Sequence, residues 1–118
     1  MDIMAIVSTE NALHYVWGSS CDGWHLAKTS GLSVIQERVP SGAGEIRHLH
    51  ENAEQFFYVL SGIATLEVAG HVHKIKPLHG IHIPAKTPHQ LSNQGESELT
   101  FLVVSTPPSH GDRVEIFA

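Results

Sequence analysis

Two histidines, His48 and His50, stand one residue apart and are followed by a carboxylate and a carboxamide, Glu54 and Gln55. In an extended strand alternate side chains share a face, with Cα atoms about 6.5 Å apart, so the two imidazoles can reach one metal ion. A third ligand is available at the start of the following strand, where Gln55 and Glu54 compete. If that strand is regular, Gln55, Phe57 and Val59 share one face and Glu54, Phe56 and Tyr58 the other, so only one candidate can point at the histidines. Ten histidines in 118 residues make a metal site the first chemistry to look for.

The elements that would position these residues are short strands. Leu32 to Val39 alternates in the strand period and ends at Pro40-Ser41-Gly42, a turn signal where a hairpin would feed the His48/His50 strand. Phe56 to Leu60 is an aromatic and β-branched run, closed by Ser61-Gly62. Ile63 to Val68 and Val72 to Ile75 flank a tight turn at Ala69-Gly70. His79 to Pro84, His89 to Asn93 and the apolar Leu99 to Ser105 follow, the last suited to burial on both faces. Ile3 to Val7 reads as a short strand, Ser8 to Ala12 as a turn or single helical turn, Cys21 to Trp24 as a turn, and Val114 to Phe117 as an edge strand. No helix-period stretch of ten or more residues occurs. Short strands punctuated by Gly and Pro imply an all-β sandwich or barrel in a single domain, 1–118.

Composition narrows the function. The net charge is -5 and the seven Lys and Arg residues are scattered, so no electrostatic footprint for nucleic acid or an anionic membrane is present. No apolar run approaches membrane-spanning length, and the first residues lack the basic and apolar regions of a secretory signal. The lone cysteine, Cys21, cannot form an internal disulfide, as expected of a cytoplasmic protein.

The chain resembles the small single-domain cupins, RmlC-like jelly rolls. Their first motif (glycine, five residues, H-x-H, three or four residues, an acid, six residues, glycine) is matched by Gly42, His48, His50 and Gly62; their second, P-x-G-x-x-H-x-x-x-N, by Pro84, His89 and Asn93. The resemblance spans roughly residues 32–105, with residues 1–31 expected to pack on the barrel or on a partner subunit. It implies a jelly-roll barrel, a homodimer, and a divalent transition metal (Zn, Fe, Ni or Mn) held in the barrel mouth. The implied ligands are His48, His50, Gln55 and His89, with His89 on the opposite side of the mouth from the other two.

Two departures bear on this. Counting back from Gly62, the position that carries glutamate in most metal-binding cupins is Gln55, the acid lying one earlier at Glu54; and Lys86 replaces the second motif's glycine. Glutamine is neutral, so a site of three imidazoles and one carboxamide leaves the ion's charge uncompensated, acidifying a bound water and attracting anions. The alternatives are that Gln55 only hydrogen-bonds a neighbour, leaving three histidines, or that Glu54 is the ligand.

The remaining candidates read as structural. His71 and His73 repeat the H-x-H spacing but flank the Gly70 turn, which places them on a solvated hairpin tip. His14, His25, His79, His82 and His110 are surface or core residues, and Trp17 and Trp24, which could line a pocket, are read as burying the N-terminal segment against the barrel, the commoner role. The function implied is a metal-dependent enzyme of isomerase, lyase or dioxygenase type acting on a small anionic or oxygen-rich molecule. The alternative is a non-catalytic module that binds a small molecule or the metal.

Overall fold

A computed structural model describes residues 6–109 and 111–117. Among these residues eleven strands form two antiparallel sheets. They are β1 (Leu13–Trp17), β2 (Cys21–Lys28), β3 (Ser33–Val39), β4 (His48–His50), β5 (Glu54–Ser61), β6 (Ala64–Val68), β7 (His71–Ile75), β8 (Gly80–Ile83), β9 (His89–Ser92), β10 (Leu99–Thr106) and β11 (Arg113–Glu115). One sheet has the order β1-β2-β3-β10-β5-β8 and the other β11-β4-β9-β6-β7. This is the expected all-β jelly roll. Among the described residues no helix is long and apolar enough to cross a membrane.

The core lies between the sheets and follows from alternation. On β10, Leu99, Phe101, Val103 and Ser105 are buried, while Thr100, Leu102 and Val104 are only half-buried. The expected burial on both faces is therefore partial on the outer one. Facing the inward set are Leu66 of β6 and Leu91 of β9, both fully enclosed. Each such side chain stabilises the fold by about 1.5–3 kcal/mol relative to exposure.

The turn at Ala69-Gly70 is tight, with φ of 49° and 91°, and joins β6 to β7 in the expected hairpin. Gly62 has φ of 79°, and a Cβ there would lie 2.4 Å from the Glu98 carbonyl oxygen, so both conformation and space demand glycine. Lys86, at the position of the motif glycine, takes φ of 64°, in the left-handed region that favours glycine. Its N–H donates to the His50 carbonyl at 2.7 Å, tying this turn to β4.

Three expectations are corrected. β3 and β4 do not form a hairpin: they belong to different sheets, and residues 40–47 cross from one to the other. That crossing is laid against β9 by backbone hydrogen bonds between Gly42 and Asn93, Asn93 and Ala43, and Glu45 and Leu91. The Asn93 amide secures it by donating to the carbonyls of Val39 and Ser97.

The Cys21–Trp24 segment is the start of β2 and not a turn; the chain reverses just before it, where Gly18 and Ser20 have φ of 53° and 64°. Asp-Gly is a turn signal in sequence, but Gly23 lies in mid-strand because the Tyr15 ring occupies the space a side chain would fill. The third correction concerns His89, taken up below.

β11 pairs with β4 at the edge of the five-stranded sheet, close to the edge strand expected in the tail. The strand expected at Ile3 to Val7 falls largely outside the described residues; Ile6 and Val7 are exposed and irregular.

Candidate metal centre

His48 and His50 point inward from β4 and are buried, with Leu49 between them turned the other way. His89 opens β9 and is the cross-strand partner of His48. It is thus a neighbour in the same sheet, not a residue from the far side of the mouth. The H-x-H spacing and one antiparallel pairing suffice to gather three imidazoles. A ring nitrogen from each lies within 4.8 Å of the other two. The ring centroids are 4.5 Å apart for His48 and His89, 4.9 Å for His48 and His50, and 6.0 Å for His50 and His89.

Hydrogen bonds fix which nitrogens converge. His48 Nδ1 lies 2.8 Å from the Ile46 carbonyl oxygen, and His89 Nδ1 lies 2.9 Å from that of Thr87. A carbonyl only accepts, so each Nδ1 carries the proton and each Nε2 keeps its lone pair. His50 Nδ1 lies 2.8 Å from Asp112 Oδ1 and donates to it. Burial pushes the His48 imidazole down to about 3 and also lowers that of His89, so both are neutral near pH 7. With each Nδ1 engaged, the Nε2 atoms are the ones left to converge. Among the described residues, His89 Nε2 is buried with no hydrogen-bond partner.

Gln55 and Glu54 separate by strand alternation. Glu54 is exposed on the outer face of β5, its Oε1 2.7 Å from His82 Nε2. Gln55 faces inward and is buried; its Nε2 donates to Ser105 Oγ at 2.9 Å, and its Oε1 has no partner among the described residues. Buried polar atoms without partners are rare. Gln55 Oε1 and His89 Nε2, both acceptors, suit a cation as the missing partner, so the donor set fits a divalent metal.

His48, His50 and Gln55 line a cavity of about 300 Å³, whose wall also includes Trp17, Ile35, Phe57 and Val103. Trp17 thus lines the cavity as well as packing against the core, while Trp24 lies against His14. His71, His73, His79 and His82 are exposed, as expected; His110 lies outside the described residues.

Sequence reasoning missed the charged groups. Tyr15, Glu37, Glu45 and Arg113 line the cavity. Burial raises the Glu37 carboxyl to about 7, against the Tyr15 hydrogen bond and the Arg113 charge, which lower it. Burial and the nearby Glu37 charge raise Glu45 to about 8. Asp112 is a further omission. Burial would raise its carboxyl, but N–H groups of Ala53 and Asn52, together with His50, outweigh burial and hold it below the usual range. None of these five has a local spacing signal; they arrive from β1, β3, the 40–47 crossing and the tail. An acid at an inward strand position, Glu37 between Ile35 and Val39, is the one clue the sequence offered.

Residues 35–105 match the sequence model of the cupin domain family. An uncharacterised protein of Methanocaldococcus jannaschii is 35% identical over 81 residues, which are 68% of this chain. The chain spans 65% of the length of that curated relative. Among solved structures, the polyketide cyclase RemF from Streptomyces resistomycificus superposes with a TM-score of 0.83 at 20% identity, over 98% of this chain and 87% of that one. A sugar phosphate isomerase of the cupin superfamily from Silicibacter pomeroyi gives 0.75 at 24% identity, over 85% and 74%. At these identities the two structures speak for the fold.

Proposed function

Because the chain belongs to the cupin domain family, whose barrel hosts unrelated reactions, its activity must be read from the cavity, and we propose a metal-dependent enzyme acting on a small oxygen-rich molecule. The observation that carries this reading is the convergence of His48, His50 and His89 beside the unpartnered Gln55 Oε1. These four residues hold the metal, which is Zn, Fe, Ni or Mn by donor type. When bound, such an ion polarises a carbonyl or acidifies a water.

The chain's own residues supply the rest. Ile46, Thr87 and Asp112 aim the imidazoles, and Ser105 holds the Gln55 carboxamide by its Nε2 in the wall of the same cavity. Trp17, Ile35, Phe57 and Val103 give the cavity an apolar wall that limits water. Arg113, the one basic side chain lining it among the described residues, favours an anionic group on the substrate. A neighbour named as a sugar phosphate isomerase supports an anionic, oxygen-rich substrate and non-redox chemistry. The same reading includes a homodimer, supported by Leu13 and Val16, which are 64% and 65% exposed on β1 at a sheet edge. Sedimentation equilibrium of the wild type, with a dimer expected, tests that part.

Elemental analysis of untagged protein, followed by calorimetric metal titration, tests the centre. The wild type is expected to bind near one equivalent per chain. His48→Ala and His89→Ala should lose most of it with the fold intact, and Gln55→Glu should retain it. Glu54→Ala should bind as the wild type does, whereas Gln55→Ala should bind more weakly. Full retention in both alanine variants of the histidines would refute the assignment, and a wild type that refuses metal would end the enzyme reading.

A further inference from the structure

Tyr15, Gly23 and Glu37 lie side by side across three adjacent strands. Tyr15 of β1 is the register partner of Gly23 of β2, which is in turn the partner of Glu37 of β3. A Cβ on Gly23 would lie 2.1 Å from Tyr15 Cζ, so the phenol crosses β2 through the space left by the missing side chain. It ends 2.8 Å from Glu37 Oε2, to which its O–H donates. Glu37 holds an inward position between Ile35 and buried Val39, and among the described residues no basic side chain comes within ion-pair distance of it. Both residues line the cavity that contains His48, His50 and Gln55. A half-buried acid with a phenol as its hydrogen-bond partner adds little to stability. Its place in the cavity wall calls for a chemical role.

The geometry points to Glu37, held in place by Tyr15, as the proton-transfer group for a substrate with a C–H bond next to a carbonyl, an α-hydroxy ketone or aldehyde. This rests on the metal-centre reading above and names its substrate class. Glu37 as carboxylate removes the proton; the C–H electron pair becomes the C=C bond of an enediolate, and the carbonyl π pair moves onto oxygen, which carries the negative charge. Returned to the same carbon, the proton regenerates the substrate. Returned to the neighbouring carbon, with the hydroxyl proton passing to the former carbonyl oxygen, it gives the isomer. No oxidant or reductant enters.

Tyr15 is a positioning residue that holds the carboxylate and stays protonated, since burial and the Glu37 charge raise its phenol. With its carboxyl at about 7, Glu37 populates both forms near neutral pH, as a proton carrier must. The groups that bear on its titration are Tyr15 from β1, Cys21 from β2, Glu45 from the crossing, Arg113 from β11, and His48 and His50 in the same cavity; β10 presents the apolar Phe101.

The test loads the protein with zinc and follows deuterium exchange into dihydroxyacetone and glycolaldehyde in D2O by proton NMR, with zinc per chain measured on the same samples. The wild type should exchange above the buffer rate. Glu37→Gln should fall by about 100-fold at unchanged zinc content, within the range for a lost general base. Tyr15→Phe removes a hydrogen bond that favours the ionised acid, so its exchange profile should shift to higher pH. The 13C carboxyl signal of Glu37, titrated in metal-free labelled protein, should shift the same way. Equal exchange in the wild type and Glu37→Gln, or no exchange in zinc-loaded wild type, overturns the pair while leaving the metal centre standing. Failure of the wild type to take up zinc overturns the centre and this inference with it. An unchanged Glu37 titration in Tyr15→Phe overturns the positioning role.

Discussion

Glu37 occupies a position between Ile35 and Val39 where an aliphatic side chain would be at home, and its ionisation records what that costs. Its carboxyl rises from 4.5 to about 7 on folding, chiefly through burial. Between those two pH values the folded chain keeps a proton that the unfolded chain has released, so stability is full below pH 4.5 and is lost as pH rises through 7. Glutamine cannot ionise. Glu37→Gln is therefore expected to match the wild type at pH 4 and to exceed it by about 1–3 kcal/mol at pH 8.5, measured by urea unfolding at both values. The same difference at both would show that ionisation of Glu37 is not what limits stability. A residue that destabilises the protein where it is ionised fits a chemical role better than an architectural one.

Asp112 joins an element to the site. Its Oδ2 accepts from the N–H groups of Asn52 and Ala53, and its Oδ1 accepts from His50. In Asp112→Asn the amide can present its oxygen to the backbone only by turning its NH2 toward His50 Nδ1. The imidazole would then have to move its proton to Nε2, the atom needed for metal. Metal affinity is expected to fall about 10- to 100-fold in chelator competition, with little change in the far-ultraviolet circular dichroism. Unchanged affinity would mean that His50 is aimed by packing alone.

Such partnerships explain what could be read in advance. Short-range patterns disclosed β3 and β5 to β10, because alternation and turn residues are local properties. The same logic showed that only one of Gln55 and Glu54 could face inward, but not which; the fold turns Gln55 in and Glu54 out. β1 and β2 were hidden because Gly23 imitates a turn residue while serving as the seat of an aromatic ring. Asp112, Glu37 and Tyr15 were hidden because their roles depend on pairings 62 and 22 residues away. His89 was found by motif but placed wrongly, since only the strand order shows β9 beside β4.

At the level of the molecule, the proposed ligands come from both sheets: His48, His50 and His89 from the five-stranded sheet, Gln55 from the six-stranded one. An ion bound by all four would bridge the sandwich and favour the folded state by mass action. At a thousandfold excess over the dissociation constant this amounts to about 4 kcal/mol. For a chain of this length the midpoint should rise by roughly 10–20 °C in scanning calorimetry. The increase should vanish with chelator and in His89→Ala; an increase that survives in His89→Ala would place the stabilising ion elsewhere.

The tail strand also imposes an order in time. Ribosomes deliver His48, His50, Gln55 and His89 well before Asp112, the group that anchors His50, and before Arg113, Val114 and Glu115, which pair with β4. A nascent chain that already carries every proposed ligand still lacks the anchor that sets His50. Were the proposed ligands to take a metal, firm capture would wait until translation has passed Glu115, and a prematurely terminated polypeptide would compete poorly with the finished protein for scarce ions.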